Sequence, residues 1–174
     1  SAEKAVALDP NVSRTQAVLG FAILTHVRTQ PAKEAVDKAI KLDQADPLPR
    51  LGLGLAMIRR GNLEEGRGEI EIAASLDPNN SLIRSYLGKA FFEEKRTDLD
   101  GPEFKIAKEL DPKDPTPFFY DAIRKQTVNR PVEALRDLQK SIELNDNRAV
   151  FRSQLKLDSD EAARSSSLAR IYSD

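Results

Sequence analysis

The stretch LGLGLAMIRRGN, residues 51–62, places Gly52 and Gly54 two apart in an apolar run with Arg59-Arg60 behind them. Glycines so spaced, followed by cations, could cradle a phosphate on backbone N–H groups. That chemistry needs a strand before the glycines and a helix opening on them. The residues around 51–62 read instead as the interior of one helix, so no phosphate loop is expected. His26 is the only histidine. A metal site or a Ser–His–Asp arrangement would centre on it, yet no carboxylate stands four residues to either side. It reads as a surface or turn histidine near a helix end. Glu64-Glu65, Glu93-Glu94 and Asp158/Asp160/Glu161 could be acid–base pairs or calcium ligands. Solvated helix faces, first-turn acids and N-caps account for them better. DSDEAARS, at 158–165, lacks the glycine and closing glutamate of an EF-hand loop. RSSSLAR, at 164–170, resembles a basic-directed phosphorylation pattern, but such short matches are common by chance and helix-start serines explain it better.

Composition narrows the classes further. There are 174 residues, which suits one ordinary domain or part of an elongated one. No cysteine is present, which removes thiol catalysis, thiolate metal sites and disulfides. Its absence suits cytosol and periplasm equally. The net charge is −1 with both signs spread along the chain, so no footprint for nucleic acid or an anionic membrane is expected. No apolar run approaches the roughly 20 residues of a membrane span, and no signal-peptide pattern opens the chain. No catalytic residue, cofactor or metal is expected.

The elements around these residues repeat. Leu8, Leu42, Leu76, Leu110 and Leu144 stand 34 apart, most within Leu-Asp-Pro or a variant of it. The same step links Gly20, Gly54, Gly88 and Ala122. It links Ala39, Ala73, Ala107 and Ser141, and again Val36, Ile70, Phe104 and Leu138. Within each period the apolar spacing is helical: Leu82, Tyr86, Leu87, Ala90 and Phe91 form one stripe, and Val132, Leu135, Leu138 and Ile142 another. Turn signals fall at 59–62, 95–102 and 128–131, and Pro31, Pro102 and Pro131 mark starts of second helices. Each period is therefore a helix, a turn and a helix. Gly54 sits in the middle of a helix, where glycine costs about 1 kcal/mol against alanine, so close packing is its expected reason.

A 34-residue helical hairpin with these columns resembles the tetratricopeptide repeat. Large-then-small pairs appear as Leu19-Gly20, Leu53-Gly54 and Leu87-Gly88, followed by Ile23, Met57 and Phe91; a small residue opens the second helix as Ala32, Gly66 and Ala134. The resemblance implies an all-α fold, a right-handed α-solenoid of antiparallel helix–turn–helix repeats. In its register the repeats are 13–46, 47–80, 81–114 and 115–148, with 1–12 the second helix of a preceding partial repeat. Departures are visible. Gln16, Arg50 and Arg84 occupy the bulky fourth position, where only Phe118 fits. Asp100 replaces a small residue and is followed by Gly101-Pro102, so that second helix should start late and be short. Asp121 and Lys125 replace apolar residues in the fourth repeat. Residues 149–160 break the period and are expected to be an irregular or extended insertion. Residues 161–174 then read as the first helix of a truncated repeat, and the whole as a piece of a longer repeat protein.

In that family first helices line a concave face that takes a peptide or a helix. The positions the resemblance assigns to it include Ala17, Phe21 and Leu24, then Leu51, Leu55, Ile58 and Arg59, with Gly52 bordering them beside Leu51 and Leu55. The third repeat adds Ser85, Lys89 and Phe92, the fourth Phe119 and Ile123. Some members clamp a partner's C-terminal carboxylate with lysine and asparagine; Ala17, Phe21, Gly52, Leu82 and Tyr86 stand at the matching positions here, so that clamp is absent. Gly52 falls outside the glycine column and is expected to leave room for a partner's backbone. The expected function is a non-catalytic scaffold binding protein or peptide in a largely apolar groove, without nucleic acid or membrane insertion. Two alternatives stay open: a substrate-guiding or assembly module of a larger enzyme, and a self-association module.

Overall fold

The computed structural model describes residues 4, 7–9, 11–25 and 29–152, with side chains described for most of these up to Leu144. Eight helices run along them: α1 Ser13–Thr25, α2 Thr29–Leu42, α3 Pro47–Arg59, α4 Leu63–Leu76, α5 Ser81–Glu93, α6 Thr97–Leu110, α7 Pro115–Thr127 and α8 Pro131–Arg152. No strand occurs among the described residues. The fold is an all-α helical repeat. His26, the 158–165 and 164–170 stretches, half of 1–12 and most of 149–174 lie outside the described residues.

First helices begin on side-chain caps. The Asp46 carboxylate accepts from the Leu48 N–H at 3.0 Å, Asn80 from Ile83 at 3.2 Å and Asp114 from Thr116 at 2.8 Å. Pro47 and Pro115 follow at the first helical position, where a missing N–H costs nothing. These helices end in one repeated turn. Gly61 (φ +92°), Lys95 (φ 59°) and Asn129 (φ 56°) stand 34 apart, all in the left-handed region. The next N–H in each case reaches back to a helix carbonyl: Asn62 to Met57, Arg96 to Phe91, Arg130 to Lys125. This is the bond pattern that closes a helix end and reverses the chain.

The division between two compact units falls between Pro78 and Asn79. In the first, α1 pairs with α2 and α3 with α4, and α3 packs on α1 and α2. In the second, α5 pairs with α6 and α7 with α8, and α7 packs on α5 and α6. Two columns make the core: Val36, Ile70, Phe104 and Leu138, then Ala39, Ala73, Ala107 and Ser141, all fully buried. The Leu-Asp-Pro leucines, the plainest repeat in the sequence, are different. Leu42, Leu76 and Leu110 are among the exposed large hydrophobics. A polar latch joins successive first helices inside each unit. The Ser13 hydroxyl donates to the Asp46 carboxylate at 3.2 Å, and that of Ser81 to Asp114 at 3.0 Å.

The structure corrects one expectation and adds to another. The helix after Lys95 is neither late nor short: α6 starts at Thr97 and has 14 residues, as α2 and α4 do. Pro102 lies inside it and removes a single bond, to the carbonyl of the exposed Asp98. At the far end α8 runs to Arg152, so helix continues through 149–152 where an extended insertion was expected to begin.

Candidate interaction surface

At Arg50 and Arg84 the fourth residue of a first helix meets the second helix of its own hairpin. Arg50 Nη1 lies 2.8 Å from Glu69 and Arg84 Nη1 lies 3.1 Å from Glu103, each pair nineteen residues apart. Arginine at this position is therefore a departure with a partner. Phe118, at the same position in α7, carries the Lys108 ammonium over its ring at 4.9 Å.

The residues expected to line the concave face separate by burial. Ala17, Leu51, Gly52, Ser85 and Phe119 are buried. Leu55, Ile58, Lys89, Phe92 and Ile123 are half-buried and Arg59 is exposed. Phe21 and Leu24 belong to α1, but their side chains lie outside the described residues. Ile58 turns toward its own hairpin, where its side chain lies 2.7 Å from the position of a Cβ on Gly66. In the second unit an aromatic run joins α5 to α7. The Tyr86 and Tyr120 rings stand 5.9 Å apart and tilted, and Phe119 and Tyr120 5.3 Å apart. Lys89 lies over the Tyr120 ring at 5.6 Å and pairs with Glu93 one turn on. Beside this run Phe92 and Ile123 keep part of their surface open.

Sequence reasoning did not foresee the ion cluster in the second unit. Asp121 and Lys125, which break the apolar pattern of α7, are two of its members. Asp121 accepts from Lys108 of α6 at 2.6 Å and from Arg124 at 2.7 Å. Asp137 of α8 accepts from Lys108 at 2.7 Å and from Lys125 at 2.6 Å. Burial would raise the Asp121 carboxyl, but the Lys108 charge and hydrogen bond, with Arg124 and Lys125, hold it down at about 2. Burial works against the Lys125 ammonium as well; its bonds to Asp137 and Asp121 outweigh that and raise it. The signal available in the sequence was the pair Asp121 and Lys125, one helical turn apart on a face that should be apolar. Among the described residues no group of histidine, cysteine or carboxylate side chains could hold a metal ion. None of the described helices is long and apolar enough to cross a membrane.

No protein-family model matches the sequence, and no curated protein sequence matches it. Solved structures do match. A chain of the APC/C hetero-tetramer Cut9–Hcn1 superposes with a TM-score of 0.81 at 17% identity, over 99% of this chain and 32% of that one. This chain thus spans about a third of the length of that match. TTC0263, a thermophilic TPR protein of Thermus thermophilus, gives 0.75 at 20% identity, over 90% and 88% of the two chains. YrrB, a TPR protein with an unusual peptide-binding site, gives 0.60 at 19%, over 90% and 80%. At these identities the likeness is one of fold: the chain has the fold of tetratricopeptide-repeat proteins.

Proposed function

We propose that this protein is a non-catalytic protein–protein interaction scaffold, and that its first helices bind an apolar peptide or helix. The observation that carries this reading is the pairing of a repeat fold with apolar first-helix side chains left partly open, Leu55 in one unit, Phe92 and Ile123 in the other. A surface of that kind is a usual place for a peptide or an amphipathic helix to dock. YrrB, of the same fold, is a TPR protein with a peptide-binding site, which supports the reading in kind.

The test compares wild type with Leu55→Glu and with Phe92→Glu, each checked for unchanged helical circular dichroism. Proteins captured by wild type are identified, and the affinity of each purified partner is measured against the three chains. A charge in either apolar patch should weaken a partner by tenfold or more. If every partner binds all three chains alike, the apolar faces are not the binding surface. Light scattering over a dilution series identifies the case in which the partner is a second copy.

A further inference from the structure

Asp100 stands in the column of small residues that opens second helices, where Ala32, Gly66 and Ala134 stand elsewhere. A carboxylate there is a conflict between residue type and place. Asp100 is fully buried, and neither of its side-chain oxygens makes a hydrogen bond of good geometry, the Gly101 N–H favouring the charge only weakly. A buried charge without hydrogen bonds is costly and favours the neutral form. Its charged partner is Arg124 of α7, with Nη1 at 3.7 Å, too long for a hydrogen bond. The guanidinium of Arg124 is already engaged, since its Nε donates to Asp121 at 2.7 Å. Gly101 makes the approach of Arg124 possible: a Cβ there would lie 3.3 Å from Cζ and Nη1.

We propose that Asp100 is a proton-sensing group that makes the packing of α6 on α7 pH-dependent. Protonated, it is a neutral group in a buried site, and Arg124 belongs to Asp121. When the carboxyl ionises, the proton goes to solvent and two carboxylates share one guanidinium. Asp100 then joins Lys108, Asp121, Lys125 and Asp137 in a single charged cluster across three helices. The charges acting on Asp100 are Arg124 and Asp121 from α7 and Asp98 from its own helix. From α5 the cation turned toward α6 is Arg84, which Glu103 holds. Burial outweighs the Gly101 N–H and Arg124, and raises the Asp100 carboxyl above the usual 3.8. With the folded value above the unfolded one, the stabilisation is full below about 3.8 and is lost as pH rises through the folded value.

The test follows the carboxyl carbon of Asp100 by NMR in the full chain from pH 3 to 8, and the thermal unfolding of wild type and Asp100→Asn over the same range. The expected midpoint lies above 3.8. The unfolding midpoint of Asp100→Asn should gain on wild type as pH rises, by about 2–4 °C across the range. Arg124→Gln should move the Asp100 midpoint higher still. A carboxyl titrating at or below 3.8, or a difference between wild type and Asp100→Asn that does not change with pH, overturns the proposal. The carbon titration reads the site even if Asp100→Asn folds poorly.

Discussion

The carbonyl oxygen of Gly66 lies 2.5 Å from where a Cβ on Gly54 would stand, and that of Gly54 lies 2.6 Å from where one on Gly66 would stand. The two glycines face one another across the α3–α4 hairpin, each the condition of the other. Ile70 closes the same contact, with its Cγ1 2.6 Å from the Gly54 position. Two helices can come this close only where neither carries a side chain, which is why Gly54 accepts a residue that weakens a helix, whereas at Gly88 the Phe104 ring takes the space, 2.9 Å from where a Cβ would stand.

Gly54→Ala should therefore destabilise by about 1–3 kcal/mol, because the atom it meets is backbone and cannot swing away. Gly68 is the internal comparison. It is also helical, but a Cβ there meets nothing within 4 Å. Gly68→Ala should stabilise by up to about 1 kcal/mol. Urea denaturation of the two variants reads the contrast. Equal effects from both would mean that α3 and α4 are not in contact at Gly54.

The left-handed turn residue at Gly61, Lys95 and Asn129 supplies a second prediction. The left-handed conformation costs an ordinary L-residue roughly 1–2 kcal/mol, and asparagine tolerates it better. Lys95→Gly should raise stability by up to about 1 kcal/mol, the gain reduced by the extra freedom of the unfolded chain. Asn129→Gly should gain less. Gly61→Ala should lose about 1 kcal/mol. Thermal unfolding of the three variants should rank them in that order.

The cluster around Asp121 supplies the third. Asp121→Ala leaves Lys108 and Lys125 with one carboxylate, Asp137, in a site where each ammonium is largely covered. Breaking a buried pair costs about 3 kcal/mol or somewhat more, and the residual exposure here puts this one at the lower end. Its pH dependence has a definite sign. Asp121 is depressed in the folded state to about 2, so its contribution is present above the unfolded value of 3.8 and disappears as pH falls from there through 2. Lys125, raised above 10.5, contributes below that value and loses its contribution as pH rises past it. Wild type should lose stability between pH 4 and 2 more steeply than Asp121→Ala, measured as the urea midpoint. Parallel acid profiles would remove Asp121 from the cluster's energetics.

Much of this protein is legible in its residues alone. The 34-residue step is a local signal: each helix repeats the spacing that buries one stripe, and each turn reverses the chain at one repeated position, Gly61, Lys95 or Asn129. Column membership does not always mean burial. The leucine series recurs as strictly as the Val36 series, yet Leu42, Leu76 and Leu110 keep more than a third of their surface exposed, only Leu144 is buried, and the Val36 series is core throughout. The expected late start of α6 fails for a related reason. Asp100 and Pro102 argue against helix locally, but packing against α5 and α7 holds the segment helical from Thr97.

The repeat length, the alternation of helix and turn, and the columns where helices must approach all follow from the order of residues, because each depends on neighbours in the chain or on a fixed period. What Arg50, Arg84, Asp121 and Lys125 do emerges only when the helices pack. Each reads alone as a polar residue breaking an apolar pattern. Their partners Glu69, Glu103, Lys108 and Asp137 sit on other helices, at separations from 12 to 19 residues. Which charges meet depends on how one helix is rotated against the next. Side-chain packing sets that rotation, and no spacing along the chain encodes it.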